Sequence, residues 1–270
     1  VVLVVAAALL PLAACSRAAT DDLSACGSAA TAADAISICT RVIESGATSK
    51  HDQAIGYMYR GLAYQGMGDR ARSMRDLDAA VKAAPSDSMI IANRGAALSQ
   101  QGDLDAGWRD LEAALRLDPN NVLALGNRGI IREKRGEFVA ARADIDRAIE
   151  IDPRPYQPWA ERCWIGGVLA DQLPKTITDC DQAIKLESRD PNNYNSRAFV
   201  HFRMGDFQAA IADYDKSIEG NPKVGSSFFM RGLAKRAAGD LAGGDADIAK
   251  GKQMEPDVAD RYAGYGVKAQ

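Results

Sequence analysis

Residues 121–153 read NVLALGNRGIIREKRGEFVAARADIDRAIEIDP, and the marks in this stretch return at fixed intervals along the chain. Gly129 lies 34 residues after Gly95, which lies 34 after Gly61. The same register continues at Cys163, at Ala198 (one residue late) and at Gly232. A second mark, glycine followed by an acid, falls at Gly68-Asp69, Gly102-Asp103, Gly136-Glu137, Gly205-Asp206 and Gly239-Asp240. A closing proline is the third, at Pro85, Pro119, Pro153, Pro222 and Pro256. Three marks sharing one period define a chain of repeats, each a supersecondary unit that buries its apolar face on its neighbours.

Within each period the apolar spacing predicts two helices joined by a tight turn. The first copy gives helices over about 53–65 and 70–83. Gly68 permits the reversal through a positive φ, Asp69 is placed to cap the second helix, and Pro85 ends it. The same parse gives pairs over about 89–101 and 104–117, 122–135 and 138–151, 157–170 and 174–186, 192–204 and 207–219, and 225–238 and 241–254. Before them, 32–44 has one apolar helical face (Ala35, Ile38, Cys39, Val42, Ile43). After them, DVADRYAGYGV from Asp257 offers a short covering helix, which its glycines should weaken.

The period, with a small residue at position 8, glycine at 15, small residues near 20 and 27 and proline at 32, resembles the tetratricopeptide repeat. Copies start near Ala54, Ser88, Val122, Tyr156, Pro191 and Gly225. The aromatic the family carries at position 4 survives as Tyr57, Trp159, Tyr194 and Phe228, but is Ile91 and Leu125 in copies two and three. Arginine replaces the usual leucine at position 7 in all six copies. The fourth copy departs furthest, with Ser188 at the proline position and one extra residue. The resemblance implies an all-α, right-handed superhelical solenoid over 54–256. An N-terminal capping half-repeat (25–50) would precede it and a C-terminal cap (257–270) follow.

The N-terminal stretch VVLVVAAALLPLAAC is apolar, too short to span a bilayer as a mature helix, and ends in small residues. Leu12-Ala13-Ala14-Cys15 resembles a bacterial lipobox. The resemblance implies a signal segment over 1–15, lipidation at Cys15, a polar tether over 16–24, and, from Ser16, delivery to the outer membrane facing the periplasm. With no initiating Met or basic stretch, the segment reads as starting late in a longer leader. Four cysteines remain, and an even number in an exported chain suggests disulfides with three possible pairings. In a hairpin turning near position 15, positions i and about 30−i share a level. That favours Cys163 with Cys180, and leaves the short loop between Cys26 and Cys39. The spacing does not suit a metal site.

Position 7 carries Arg60, Arg94, Arg128, Arg162, Arg197 and Arg231. Position 23 carries Asp76, Asp110, Asp144, Asp179, Asp213 and Asp247. Since 7 and 23 sum to 30, each pair should meet midway along its hairpin or across to the next repeat. A ladder of structural ion pairs is expected rather than a charged binding strip. The second acids of the DxD pairs, such as Asp78, Asp146 and Asp215, should be solvated, because i and i+2 diverge on a helix.

Net charge is −3 with acids and bases mixed, so there is no basic footprint for nucleic acid. His51 and His201 lie far apart with no matching nucleophile, and no glycine-rich loop follows a strand. The sequence offers no catalytic constellation and implies no cofactor. In the tetratricopeptide family, first helices line a concave groove through positions 2, 5, 9, 12 and 13. In copies one to three these hold small or mild residues: Met58, Leu62, Ala92, Ala96, Leu123, Ile130. Copies four to six hold Trp164, Asn192, Asn195, Phe199, Phe202, Arg203, Phe229 and Arg236. Aromatics with amides suit a protein or peptide partner. The expected function is a non-catalytic scaffold, tethered to the envelope membrane by lipid alone. A pilotin-type outer-membrane assembly factor is the alternative, and a cytosolic co-chaperone the third.

Overall fold

A computed structural model describes residues 22–45 and 49–268, and among these it is helical without strands. The expected lipidation site, Cys15, and residues 16–21 of the expected tether lie outside the described residues. Fifteen helices follow in order: α1 (22–27), α2 (Ala32–Glu44), α3 (Lys50–Gly66), α4 (Arg70–Ala83), α5 (Ser88–Gln100), α6 (Leu104–Leu117), α7 (Val122–Lys134) and α8 (Phe138–Ile151). Then come α9 (Tyr156–Leu169), α10 (Leu173–Leu186), α11 (Pro191–Met204), α12 (Phe207–Gly220), α13 (Gly225–Ala237), α14 (Leu241–Met254) and α15 (Val258–Gly264). The chain divides into two compact units, 1–127 and 128–270.

Each hairpin closes as its residues dictate. Gly68 takes φ +78°, and the Asp69 carboxylate accepts from the Arg72 amide at the start of α4. Asp103, Asp206 and Asp240 cap their helices in the same way. Position 8 faces position 24 across the hairpin. A Cβ on Gly61 would meet Leu77 Cγ at 3.0 Å and the Ser73 carbonyl at 3.1 Å, so glycine is what lets the two backbones approach.

The ion-pair ladder is present in all six hairpins. Arg60 holds both oxygens of Asp76 at 2.7 and 2.9 Å, and Arg94 holds Asp110 at the same distances. Arg128–Asp144, Arg162–Asp179, Arg197–Asp213 and Arg231–Asp247 repeat the bidentate geometry. A planar guanidinium suits this fork, and the inner acids are nearly buried.

The second acids are exposed, as expected, and also pair. Within the units, Arg94 also donates to Asp78, Arg162 to Asp146, Arg197 to Asp181 and Arg231 to Asp215, at 2.7–3.1 Å. Each acid belongs to the preceding hairpin, so the divergence of i and i+2 is what sends one carboxylate inward and the other to the next repeat. Arg60 has Thr40 of α2 in that place, at 3.0 Å. The aromatics at position 4 acquire a role too: Tyr57, Trp159, Tyr194 and Phe228 lie 4.9–5.9 Å beneath the position-7 arginines.

Cys26 and Cys39 stand bonded with Cα atoms 5.0 Å apart, and Cys163 and Cys180 with Cα atoms 4.9 Å apart. Residues 22–24, expected as the end of a tether, are helical instead. Leu23 packs on Cys26, Cys39 and Val42, and Arg41 pairs with Asp22 at 3.2 Å. The bonded cysteines supply an apolar floor that this short segment covers.

Candidate peptide-binding groove

The inner faces of α9, α11 and α13 stand side by side in the second unit, and each brings position 9 or its neighbours to a shared surface. Helical spacing puts Trp164 on α9, Phe199 on α11 and Phe229 on α13 along one line. The structure covers that line. α15 crosses it, burying Val258 and Tyr262 against the rings, with Val267 buried just beyond. Tyr262 meets Phe199 edge-on at 5.4 Å between centroids and Phe229 at 6.2 Å. Tyr265 meets Trp164 at 5.6 Å and Phe138 of α8 at 6.0 Å, both edge-on. Arg203 donates to the Tyr265 carbonyl at 2.8 Å, anchoring the end of the short helix.

The expected groove is therefore corrected at two positions. Phe199 is fully buried and Phe229 is 3% exposed, so neither ring is available to a partner. The C-terminal cap is what covers them. Its glycines fall on the outer side or beyond the helix, while Val258, Tyr262 and Tyr265, at helical spacing, carry the packing. In the first unit, Met58 and Ala92, read as mild groove residues, are also buried.

The remaining six residues fall on either side of α15. Trp164, Asn192 and Asn195 line an open cavity of about 360 Å³ with Ser196, Ser226, Glu255, Arg261, Tyr262 and Tyr265. Asn192 is exposed and donates to Asp190 at 3.0 Å, and Asn195 donates to Ser227 at 2.6 Å. Phe202, Arg203 and Arg236 line a second cavity of about 600 Å³ at the C-terminal ends of α11 and α13, with Phe207, Leu233 and Val267. Arg236 is paired with Asp245, and burial pulls the Arg203 guanidinium below its ordinary pKa.

Sequence reading missed a third element. Beside Trp164 a cleft of about 310 Å³ is lined by Glu133, Tyr156, Gln157, Glu161, Asp190, Asn192 and Asn193. The Trp164 indole donates to Glu133 at 3.0 Å. Burial, with Glu133 close by, pushes the Glu161 carboxyl up to about 7. Glu133 and Glu161 sit on successive first helices, and repeat register could have paired them. The groove thus offers half-covered rings, an exposed amide that donates to Asp190, and an acidic end, which suit extended or helical peptide rather than a small metabolite.

Comparison with known proteins agrees with this architecture. Two tetratricopeptide repeat family models match, over residues 92–158 and 191–224. No curated protein sequence matches the chain. Among solved structures, the Pseudomonas aeruginosa pilF protein is similar with TM-score 0.63 at 15% identity, over 79% of this chain and 98% of that one. PilW, a widely conserved type IV pilus biogenesis factor, gives TM-score 0.63 at 13% identity, over 78% and 98%. YrrB, a repeat protein with an unusual peptide-binding site, gives TM-score 0.53 at 15% identity, over 69% and 97%. At these identities the likeness is one of fold. Together with the family matches and the hairpins α3 to α14, it makes this chain a tetratricopeptide repeat protein, a scaffold for protein–protein interaction.

Proposed function

We propose that the chain is a non-catalytic adaptor, anchored by a lipid at Cys15 in the outer membrane and facing the periplasm, which captures a protein partner at the α9–α11–α13 groove. The observation that carries the binding site is the open cavity where Trp164 presents part of its ring beside the exposed amide of Asn192. A half-covered indole supplies large contact area at low entropic cost, and an exposed amide can pair with peptide backbone. The acidic cleft at Glu133 and Glu161 favours a partner carrying a basic side chain there. Envelope location rests on the apolar stretch 1–15 with its Leu12–Cys15 motif and on the paired cysteines, which suit an oxidising compartment.

Affinity capture of the lipidated protein from envelope extract tests both parts. Mass spectrometry should find a chain starting at a modified Cys15, and an unmodified Val1 on soluble protein would refute the anchor. Trp164→Ala should weaken capture at least about tenfold. A captured cell-wall hydrolase would identify a hydrolase scaffold, and a captured secretin would move the chain to the pilotin-type assembly role. Full capture by Trp164→Ala would remove the groove from consideration.

A further inference from the structure

We infer that the groove of α9, α11 and α13 is a receptor for a short helix presenting two tyrosines one turn apart, and that the chain's own residues 257–268 are its resident occupant. The inference deepens the protein-binding reading above and rests on it. The segment is held through groups a partner could reproduce. Val258, Tyr262, Tyr265 and Val267 are its inward residues, and Asp260 and Arg261 face solvent. Its rings meet Trp164 and Phe199 edge-on and Phe229 at a tilt, completing one aromatic cluster. Its last turn is gripped by one side chain, Arg203, through the Tyr265 carbonyl.

The segment is also built to leave. α15 has seven residues, well short of the length at which a helix is stable alone. Its N-cap, Asp257, makes no side-chain capping bond. Cavities open on either side of it, so an incoming segment can engage Trp164 or Phe202 before the resident one departs. The partner it admits should therefore carry an apolar residue, a tyrosine four positions on, a second tyrosine three further and an apolar residue two beyond. That is the spacing of Val258, Tyr262, Tyr265 and Val267. While the resident segment is seated, apparent affinity is lowered by the fraction of time the groove stands empty.

The test uses the full chain and a synthetic peptide of residues 256–268, with free ends blocked. Peptide should bind Tyr262→Ala/Tyr265→Ala at least about tenfold more tightly than wild type, whose own segment competes. Adding Arg203→Ala should reverse that gain. In the wild type, amides of 258–267 should exchange at least about tenfold faster than those of α11, as a displaceable segment requires. Equal peptide affinity for both proteins, or binding to neither with helicity retained, overturns the inference. Should the double variant lose helicity, Tyr265→Ala alone carries the same measurement. If that too melts α11–α14, the segment is core and the inference falls. A wild-type dimer that Tyr265→Ala converts to monomer would mean exchange between copies, and overturns the intramolecular assignment. An envelope partner captured equally by wild type and the double variant, yet lost by Trp164→Ala, would leave the binding site standing and remove self-occupancy alone.

Discussion

The first hairpin, α3–α4, and the fourth, α9–α10, solve one packing problem by different means. In the first, positions 8 and 24 are Gly61 and Leu77, so one side chain is deleted and the other fills its space. In the fourth they are Cys163 and Cys180, two medium side chains joined covalently. The turns differ in step. Gly68 takes its positive φ without a Cβ, whereas the fourth turn places Ala170 and Gln172 in the left-handed region and lacks a side-chain cap on α10. A link has replaced a shape fit where an extra residue disturbed the turn. The hairpin that forms much of the groove is thus held by chemistry more than by repeat regularity.

What the two hairpins share should break both. Asp76→Ala leaves the largely buried Arg60 with only the Thr40 hydroxyl and should cost about 3–5 kcal/mol in denaturant unfolding, whereas Asp179→Ala leaves Arg162 its second acid, Asp146, and should cost less. A loss under about 1 kcal/mol at Asp179 alone would mean the disulfide carries the fourth hairpin without the ladder.

Much of this was legible beforehand. Helix ends fell within about three residues because glycine, aspartate and proline mark each boundary chemically. The ladder followed from register, since positions summing to 30 must face each other. The second acids read correctly as solvated, but their pairing was missed because within one helix they point away and only the next repeat gives them a partner. The groove failed at Phe199 and Phe229 for a related reason. Spacing in 257–268 shows which side chains are apolar, but not which distant face receives them.

The next contrast is the link itself. Cys163→Ala/Cys180→Ala should lose about 2–3 kcal/mol by thermal or urea unfolding. Importing the first hairpin's solution, Cys163→Gly/Cys180→Leu, should recover about 1 kcal/mol of that. No recovery would show that the disturbed turn prevents the close approach.

Position 6 gives a smaller one, Tyr59 in the first hairpin against Glu161 in the fourth. The folded Glu161 carboxyl keeps its proton to about 7, while unfolded it releases it near 4.5. Folding then binds a proton between these values, so stability falls as pH rises from 4.5 to 7 and is lowest above 7. Glu161→Gln should flatten that slope and raise Tm by a few degrees at pH 8. An unchanged slope would place the carboxyl in free contact with solvent. Last, Ala170→Gly should stabilise the fourth hairpin by about 0.5–1 kcal/mol by relieving its left-handed φ, a gain the first hairpin already has at Gly68.

The double grip of the position-7 arginines bears on how such a chain grows. Within each unit a repeat brings an arginine, the inner acid that matches it, and an outer acid at position 25 for its successor: Asp78 in the first unit, and Asp146, Asp181 and Asp215 in the second. Tandem duplication or loss of a whole repeat within a unit therefore leaves its seams charge-matched, whereas a splice out of phase would strand an ion. The series also carries its own stops. Thr40 offers a neutral hydroxyl where no earlier acid exists, and the sixth repeat has Ala249 where a seventh would have needed a carboxylate.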